Sequence, residues 1–494
     1  MHRYQQLIKQ DHAISPIIGV VLMIALLVAI AATVIIYVNM TSVEKLSASE
    51  RMIDSLNQQL KDQVAPPDNP EDLQNPPDPP EDPPEDPPKQ GGSWWDESWE
   101  YRKSITIDHT ILTDDLTHYP ILLSIKDSDL SKAQPDGDDI VFTLDDHETQ
   151  LNHEIEYFNS ANGELVAWIE IPQLSSTVDT TLYMYYGNGV CGSQQHSDDV
   201  WDSNYVLVHH LEETAGEIDD SSSYDNDGTA MGGLRLDAPG KIDGADEFDL
   251  SGSYIEVTNA ASLENYGNSI SIEGWFKYES IISFIPLPIV EKGERIAADL
   301  NYDGVVDEDD FVIIQKHFLN PDNGGDRYPS PYPPWDIGHD TWCDILDVGA
   351  LGHQFGQSNP VWAVYIVENK LRFTLSGTDA ILESSTSFTE DDVDQWFHFA
   401  AIYDGTASYL YINGVLDNST ENSGSIDATA TSLKIGKSEM VPFIGPIDIL
   451  PYYMDGVLDE IRISNTPRSQ AWIETSYTNQ MHPSSCFTIG DEES

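Results

Sequence analysis

The pattern of hydrophobic and polar positions divides the chain into three parts, of which the first is helical. Residues 14–38 form an apolar run without a charged side chain. A helix through this run would be roughly 37 Å long at 1.5 Å per residue, which is enough to cross the hydrocarbon core of a bilayer. Residues 39–64 carry apolar positions at roughly helical spacing. These patterns predict a membrane-spanning helix that continues outward as an amphipathic helical stalk.

The second part, residues 65–92, has a different composition. Pairs of prolines alternate with aspartate and glutamate, and the segment ends on Gly91-Gly92. Because proline disfavours both a helix and a sheet ladder, the segment is predicted to be an extended polyproline spacer that rises about 3.1 Å per residue. The alternative is a proline-rich ligand for a recognition domain, although such ligands usually carry Arg or Lys.

From Ser93 onward the pattern is that of an all-β protein. Short alternating or aromatic-rich runs, such as 103–107 and 181–186, are separated by Gly, Asn and Asp turns. Asn413-Gly414 between two such runs predicts a β-hairpin, because both central residues of a type I′ turn need positive φ. The whole chain is therefore predicted to be mainly β, with an N-terminal helix, an acidic stalk and two tandem β-sandwiches.

The charge of the chain limits its partners. The 494 residues include 23 Lys and Arg against 85 Asp and Glu, a formal net charge of -62. Such a surface repels nucleic acid, so no nucleic-acid partner is expected, and it favours cation binding. Arg3 and Lys9 precede the apolar run. The positive-inside rule then places the N-terminus in the cytoplasm, residues 14–38 in the cell membrane and the bulk of the chain outside the cell.

Two kinds of covalent modification are compatible with an extracellular location. Cys191, Cys343 and Cys486 are too scattered for a disulfide framework or a zinc site. One bridge can form, but the sequence does not choose the pair. The tripeptides that begin at Asn39 and Asn418 are N-glycosylation sequons and are candidate modification sites.

The N-terminus carries the most specific motif. The small residue Ala13 stands before the apolar run, so cleavage there would leave the hydrophobic helix at the new N-terminus. The run Ala13-Ile14-Ser15-Pro16-Ile17-Ile18-Gly19 resembles the N-terminus of archaeal type IV pilins, with His12 where a charged residue is more usual. The resemblance implies that a prepilin peptidase removes residues 1–13 and that the helix packs with other pilin subunits in a filament. A permanent signal anchor that never polymerises is the alternative.

Residues 93–200 resemble DUF2341, an uncharacterised β-sandwich module of microbial surface proteins. The resemblance rests on the order and spacing of aromatic and acidic motifs, which are Trp94-Trp95, Gly137-Asp138-Asp139, Glu154-Ile155-Glu156-Tyr157-Phe158, Trp168 and Tyr185-Tyr186-Gly187-Asn188. It implies a fold and names no activity.

Residues 201–296 and 360–481 together resemble a LamG-like jelly roll of the concanavalin A-like fold, which leaves residues 482–494 as a C-terminal tail. The motifs are Val208-His209-His210-Leu211-Glu212, Gly244-Ala245-Asp246-Glu247-Phe248, Trp396-Phe397-His398-Phe399 and Leu458-Asp459-Glu460-Ile461-Arg462-Ile463. Members of this fold often bind glycans or proteins at loop edges, and many are only structural. Any single aromatic residue here is expected in the core, since sandwich cores also take Trp and Tyr.

Between the two pieces, residues 297–359 contain a predicted calcium site. Positions 1, 3, 5, 7, 9 and 12 of a calcium loop fall on Asp299, Asn301, Asp303, Val305, Asp307 and Asp310. Ca²⁺ requires six to eight oxygen ligands, and Gly304 supplies the sharp turn that brings alternate residues onto one ion. Aspartate at the last position, followed by a helical pattern, resembles a dockerin repeat.

A second, degenerate copy of the loop follows, with Asp336, Asp340, Asp344 and Asp347 as its acidic ligands. Gly338 offers no side-chain ligand and Thr341 replaces the turn glycine, so this copy is predicted to be a weak or lost calcium site. The pair resembles a small α-helical, EF-hand-like dockerin module inserted in a sandwich loop. It either docks a cohesin-like partner or acts as a calcium-stiffened structural insert.

No catalytic motif stands out. The zinc-protease His-Glu-x-x-His, the Gly-rich phosphate loop and the Gly-x-Ser-x-Gly elbow are not present in the sequence. Paired glycosidase carboxylates can be hidden among so many acids. His153, Glu156 and His209-His210 are interpreted as strand residues rather than ligands, and no enzymatic activity is expected.

These observations predict an archaeal cell-surface pilin-like protein. It is either a filament subunit or a membrane-anchored adhesin, and its β-sandwich head attaches to a surface, a glycan or a protein. The first alternative is a membrane-tethered carbohydrate-binding or cohesin-docking module. The second is a polysaccharide-active enzyme.

Overall fold

The computed structural model describes residues 94–280, 285–293, 361–375, 380–438 and 451–494. The predicted membrane helix, stalk and acidic linker lie outside the described residues, and so do both predicted calcium loops. Within the described ranges, no helix is long and apolar enough to span a membrane. The fold of these ranges is mainly β, as the sequence predicts.

Buried and more exposed residues alternate along the strands of the first sandwich, because successive side chains of a strand point to opposite faces of the sheet. Val166 is only half-buried on β6, while its neighbours Leu165 and Ala167 are fully buried. The strands are β1 (Tyr101–Ile107), β2 (Leu116–Lys126), β3 (Val141–Leu144), β4 (Gln150–Leu151), β5 (His153–Asn159), β6 (Glu164–Leu174) and β7 (Thr180–Tyr186). β2, β6 and β5 form a three-stranded sheet in that order, and β1, β7, β3 and β4 lie in the opposing sheet.

The second sandwich contains two eight-stranded sheets and two short helices. Its elements are β8 (Tyr205–His209), β9 (Glu217–Ile218), β10 (Gly228–Met231), β11 (Arg235–Pro239), β12 (Gly244–Phe248), β13 (Tyr254–Val257), α1 (Ala261–Glu264), β14 (Ile270–Tyr278), β15 (Leu287–Lys292), β16 (Trp362–Val367), β17 (Lys370–Leu375), β18 (Ala380–Glu383), β19 (Phe397–Tyr403), β20 (Ala407–Ile412), β21 (Val415–Glu421), β22 (Leu433–Ile435), β23 (Lys437–Ser438), β24 (Tyr452–Tyr453), β25 (Gly456–Ser464) and α2 (Gln470–Met481).

The two large sheets are built from both pieces of the predicted jelly roll. One has the order β18-β17-β16-β15-β22-β13-β10-β9. The other has the order β11-β12-β25-β14-β19-β20-β21, with β8 also paired to β25. Their inner faces share one hydrophobic core, to which Ile255 and Ile435 contribute from the first sheet and Ile272 and Leu410 from the second. Strands on either side of the predicted calcium insert, β15 and β16, pair directly with each other.

The last residues of the chain complete the first sandwich. Residues 482–494 are treated above as a tail, but they contain β26 (Phe487–Ile489), which pairs antiparallel with β1. The sheet order is therefore β26-β1-β7-β3-β4. The buried side chains of Cys486 and Phe487 join the core of the first sandwich. The first sandwich is therefore built from β1–β7 and from β26, which follows the second sandwich in the chain.

A single hydrophobic cluster joins the two sandwiches. It includes Leu122 and Trp168 from the first sandwich, Ala400 and Ile402 from β19, and Trp472 from α2. Trp472 packs against Tyr119 of β2 with ring centroids 4.8 Å apart. The two sandwiches are therefore in contact through buried apolar side chains.

Candidate functional site

The sequence-predicted site residues are almost all outside the described ranges. These are the processing residues Ala13 and Ile14, the sequon residue Asn39, and the calcium ligands of both loops. Asn418 is described and is exposed on β21, where its Nδ2 donates to the carbonyl oxygen of Glu383 at 2.8 Å. Cys191 and Cys486 are both free thiols, so they do not form the bridge. Cys343 lies outside the described residues.

The described ranges instead reveal a buried polar cluster between the two sandwiches, which we call the seam cluster: Glu154, Glu156, His210, Glu460 and Arg462. Backbone pairing of β8 with β25 aligns His209 with Ile461, which brings the next residue, His210, beside Glu460. Glu154 and Glu156 come from β5, an edge strand of the three-stranded sheet. The cluster therefore forms only where the two sandwiches meet.

A bulge in β25 directs Glu460 into the seam. The register between β14 and β25 shifts after Glu273, so that Arg462 faces Glu273 but Asp459 faces Trp275. Glu460 occupies this extra position with a φ of 57°. A non-glycine residue in the left-handed region carries strain, and bulges often re-aim a side chain next to a functional site. A side chain at Gly274 would have its Cβ 2.7 Å from Ile461, which explains the glycine opposite the bulge.

Three carboxylates surround the ring of His210. Its Nδ1 lies 3.0 Å from Glu460 Oε1 and 3.5 Å from Glu156 Oε2, and its Nε2 lies 3.5 Å from Glu154 Oε2. The side chains of His210, Glu156 and Glu460 are 4%, 0% and 1% exposed. A polymeric substrate or a sugar ring therefore does not reach these groups.

Aromatic side chains and Arg462 close the cluster. Trp168 Nε1 donates to Glu156 Oε2 at 2.7 Å, and Trp201 Nε1 donates to Glu154 Oε2 at 2.9 Å. The guanidinium of Arg462 lies 4.3 Å from the ring centroid of Trp168 and 4.7 Å from that of Trp201, and it donates to Glu460. Cation–π contacts of this kind gain strength when they are removed from water.

In the seam cluster, the effect of burial on each pKa is opposed or reinforced by the charges of neighbouring side chains. Burial alone would lower the pKa of His210, but Glu460 and Glu154 raise it well above its ordinary value. Burial would raise the pKa of Glu460, but His210 and Arg462 lower it. Burial and the charge of Glu460 raise the pKa of Glu156 well above its usual range. His210 therefore favours the ionised forms of Glu460 and Glu154, whereas burial and the charge of Glu460 favour the protonated form of Glu156.

The same side chains have the composition of a metal site. One ligand atom each from Glu156, His210 and Glu460 lie within 4.8 Å of one another. Imidazole and carboxylate ligands together suit zinc and related transition metals. Metal binding here would release the protons on His210 and Glu156, because ligands must be deprotonated. A second group of three, Asp108, His109 and Asp179, is solvent-facing at the edge of the first sandwich.

A second acidic group, Glu212, Glu213 and Asp246, lies near the seam cluster and interacts electrostatically with His210 through Glu212 and Glu213. Asp246 of β12 is fully buried, and neither of its carboxylate oxygens has a hydrogen-bond partner among the described residues. Burial and the charges of Glu213 and Glu212 raise the pKa of Asp246 to about 8. Burial and the charge of Glu212 raise the pKa of Glu213 to about 7. Gly244 permits this approach, since a Cβ there would lie 2.8 Å from the Cα of Glu212.

Two family models match the chain. Residues 339–474 match the concanavalin A-like lectin/glucanases superfamily. Residues 136–224 match DUF2341, a domain of unknown function. These matches confirm the resemblances predicted for the second and first sandwiches. No curated protein matches the chain.

Several solved structures are similar to part of the chain at low identity. A structure of botulinum neurotoxin type C is 13% identical, with 56% of this chain and 51% of that chain covered and a TM-score of 0.36. The binding domain of Paraclostridial Mosquitocidal Protein 1 is 12% identical, with coverages of 56% and 52% and a TM-score of 0.35. The binding domain of botulinum neurotoxin serotype D is 13% identical, with the same coverages and a TM-score of 0.34. The chain spans about half the length of these structures.

Proposed function

We propose that this chain is a cell-surface attachment protein whose double-sandwich head binds a glycan or a protein. The observation that carries the proposal is the match of residues 339–474 to the concanavalin A-like superfamily, whose name joins lectins and glucanases. In this proposal the predicted pilin-like helix holds the chain in the membrane or in a filament. The acidic stalk then keeps the head away from the cell.

The burial of the seam cluster favours binding over catalysis. A glycosidase needs two carboxyl groups that flank the scissile bond of its substrate. Glu156 and Glu460 have the required chemistry, but their side chains are 0% and 1% exposed. The cluster therefore supports a structural role, in which paired charges fix how the two sandwiches meet.

Because few aromatic rings are exposed, we expect the binding site to consist of loops and polar groups. Among the described residues, Tyr224 is the most exposed aromatic residue, at 41%, and its hydroxyl donates to the carbonyl oxygen of Ser203 at 3.2 Å. Trp168, Trp201, Trp275 and Trp362 are buried. A flat stacking platform of several exposed rings is therefore not available in these ranges.

The full chain in detergent micelles provides the test of binding. It is applied to an array of surface polysaccharides and glycoproteins, and both retention and the release of reducing ends are measured. We expect saturable retention on one class of polymer without product release. Hydrolysis of a retained glycan would overturn the proposal in favour of an enzyme. Retention only by a cohesin-like protein would support the docking alternative.

The membrane part of the proposal has its own test. Filaments sheared from the cells and the remaining membranes are digested separately, and the N-terminal peptide of this chain is identified by mass spectrometry. We expect a chain that begins at Ile14 in the filaments, because Ala13 precedes the apolar run. A chain found only in membranes with residues 1–13 intact would contradict polymerisation and leave an anchor.

A further inference from the structure

Lys292, the last residue of β15, is buried in an unusual setting. The residue is 0% exposed, and its Nζ donates to Asn259 Oδ1 at 2.7 Å and to the carbonyl oxygen of Thr431. None of the ion pairs among the described residues involves Lys292. Its amine therefore faces an amide and a carbonyl group instead of a carboxylate.

This setting favours the neutral amine. Burial lowers the pKa of Lys292 to about 8, against an opposing effect of Glu264. With such a pKa about a tenth of the amine is neutral at pH 7, far more than for an ordinary lysine, and neutral amines act as nucleophiles. Burial by itself does not produce this state. Lys103 is 5% exposed, but Asp127 and Asp129 outweigh the effect of burial and raise its pKa.

The amide of Asn259 is held between the amine and a carboxyl group. Its Oδ1 accepts from Lys292, and its Nδ2 donates to Glu264 Oε1 at 2.7 Å. The leaving nitrogen of the amide is thus the atom that contacts Glu264. An acid or base must lie within hydrogen-bond reach of the proton it transfers, and Glu264 meets this condition for the leaving nitrogen Nδ2.

The sheet fixes the positions of the two reacting residues. β13 and β15 both pair with β22, and both Val257 and Lys292 lie opposite Leu433. Asn259 follows β13 by two residues, and Glu264 is the last residue of α1. The amine and the amide therefore come from two strands that flank a third, so the fold itself supplies the proximity that such a reaction requires.

We propose that Lys292 and Asn259 form an intramolecular isopeptide bond, with Glu264 as the group that transfers the proton. The lone pair of Nζ attacks Cγ of Asn259. Once Nζ is bonded to Cγ it lies next to Nδ2, where Glu264 is hydrogen-bonded. Glu264 then takes a proton from Nζ and gives one to Nδ2, the Cγ–Nδ2 bond breaks, and ammonia leaves. One amine and one primary amide become one secondary amide and one ammonia, so the reaction needs no oxidant, metal or cofactor.

The bond would lock the middle of the large sheet. It would join positions 33 residues apart in the chain and link β13 to β15 across the end of β22. A covalent cross-link restricts the unfolded chain and so raises the free energy of unfolding. It would also resist forces that pull these strands apart, which suits a head at the end of a long stalk.

Peptide mass spectrometry of the full chain tests the proposal. The purified chain is denatured, digested with a protease and analysed by tandem mass spectrometry. We expect a branched peptide that contains both Asn259 and Lys292, with a mass equal to the two linear peptides less one ammonia. Recovery of these residues only in linear, unmodified peptides would overturn the proposal. The wild-type chain alone gives this answer, so no variant has to fold.

Variants assign the roles. K292R and N259A should each abolish the branched peptide, and K103R should leave it unchanged because Lys103 contacts carboxylates instead of an amide. E264Q keeps the size of the side chain but cannot carry the proton. It should strongly reduce the yield of the branched peptide while the far-ultraviolet circular dichroism stays that of the wild type. Full cross-linking in E264Q would overturn the role of Glu264.

Discussion

At the scale of single residues, Asp246 of the second sandwich is a buried carboxyl group whose ionised form is destabilising. It is fully buried without a hydrogen-bond partner for either oxygen, while Glu212 and Glu213 add negative charge nearby. A buried carboxylate without a partner is destabilising when ionised, so it keeps its proton to a higher pH. Its effect on stability must therefore depend on pH.

The sign of this dependence follows from proton binding. The pKa of Asp246 rises from 3.8 to about 8 on folding. Between these values the folded state holds a proton that the unfolded state has lost, so the free energy of unfolding falls as the pH rises. The penalty is absent below the lower pKa and complete above the higher one.

D246N should remove the penalty because asparagine stays neutral. We expect the Tm of D246N to match that of the wild type at about pH 4 and to exceed it above about pH 8, with roughly 1–2 °C gained for each kcal/mol recovered in a cooperative unit of this size. Thermal unfolding followed by circular dichroism in EDTA provides the measurement. D391N, a change of the same charge at an exposed position, is the matched control.

Thermal unfolding with added calcium shows whether Asp246 is a destabilising carboxylate or a metal ligand. If Glu212, Glu213 and Asp246 together held a cation, added calcium would raise the Tm of the wild type more than that of D246N, whereas the predicted calcium loop affects both equally. D246N would then lower the Tm at high pH instead of raising it. That pair of results would contradict the prediction and assign a metal site to these residues.

At the scale of elements, local sequence signals located the strands well. Residues 103–107 and 181–186 lie within β1 and β7. The predicted hairpin at Asn413-Gly414 connects β20 to β21, and its two residues have φ values of 50° and 74°. The prediction is confirmed because positive φ at both positions is a property of the two residues themselves.

The seam cluster could not be located in the same way. His153, Glu156 and His209 are strand residues, as predicted, and nothing in their spacing indicates a shared site. His210 and Glu460 are 250 positions apart and meet because β8 pairs with β25. The bulge that turns Glu460 inward depends on the close approach of Gly274, which is a long-range contact. Charge and spacing within one segment do not encode such contacts.

The role of α2 in the first sandwich is also not predictable from its sequence pattern. Asn479 of α2 accepts from the backbone N–H of Leu122 at 2.7 Å and donates to its carbonyl oxygen at 2.9 Å. One side chain thereby satisfies the open edge of β2 as a neighbouring strand would. The helix that ends the second sandwich therefore also completes the edge of the first.

At the scale of the whole molecule, the path of the chain couples the two sandwiches. β26 joins the first sheet only after the chain has passed through the second sandwich, and one hydrophobic cluster spans both. Neither sandwich can lose its structure without exposing buried surface of the other. We therefore expect the described head to unfold as one cooperative unit.

Removal of residues 482–494 tests this coupling. The truncated chain loses β26 and the buried side chains of Cys486 and Phe487. Loss of a buried phenylalanine side chain alone typically costs about 3–5 kcal/mol. We therefore expect the free energy of unfolding of the entire head to fall by at least this amount, and its urea midpoint to fall with it. Tryptophan fluorescence and circular dichroism in urea should report the same shifted transition. Trp168 and Trp275 are buried in the first and second sandwich, so fluorescence follows both.

A shorter truncation separates the strand from the charges that follow it. A chain that ends at Gly490 keeps β26 but loses Glu492 and Glu493, which pair with Lys132 and Arg102. Glu493 is half exposed, but Arg102 is buried and also exchanges backbone hydrogen bonds with Glu493. Arg102 keeps its contacts with Trp94 and Tyr185, so this chain should lose some stability but less than the chain without β26. Equal midpoints for both truncations would show that β26 adds little stability. Two separate transitions in the wild type would contradict the coupling itself, because each sandwich would then be stable without its neighbour.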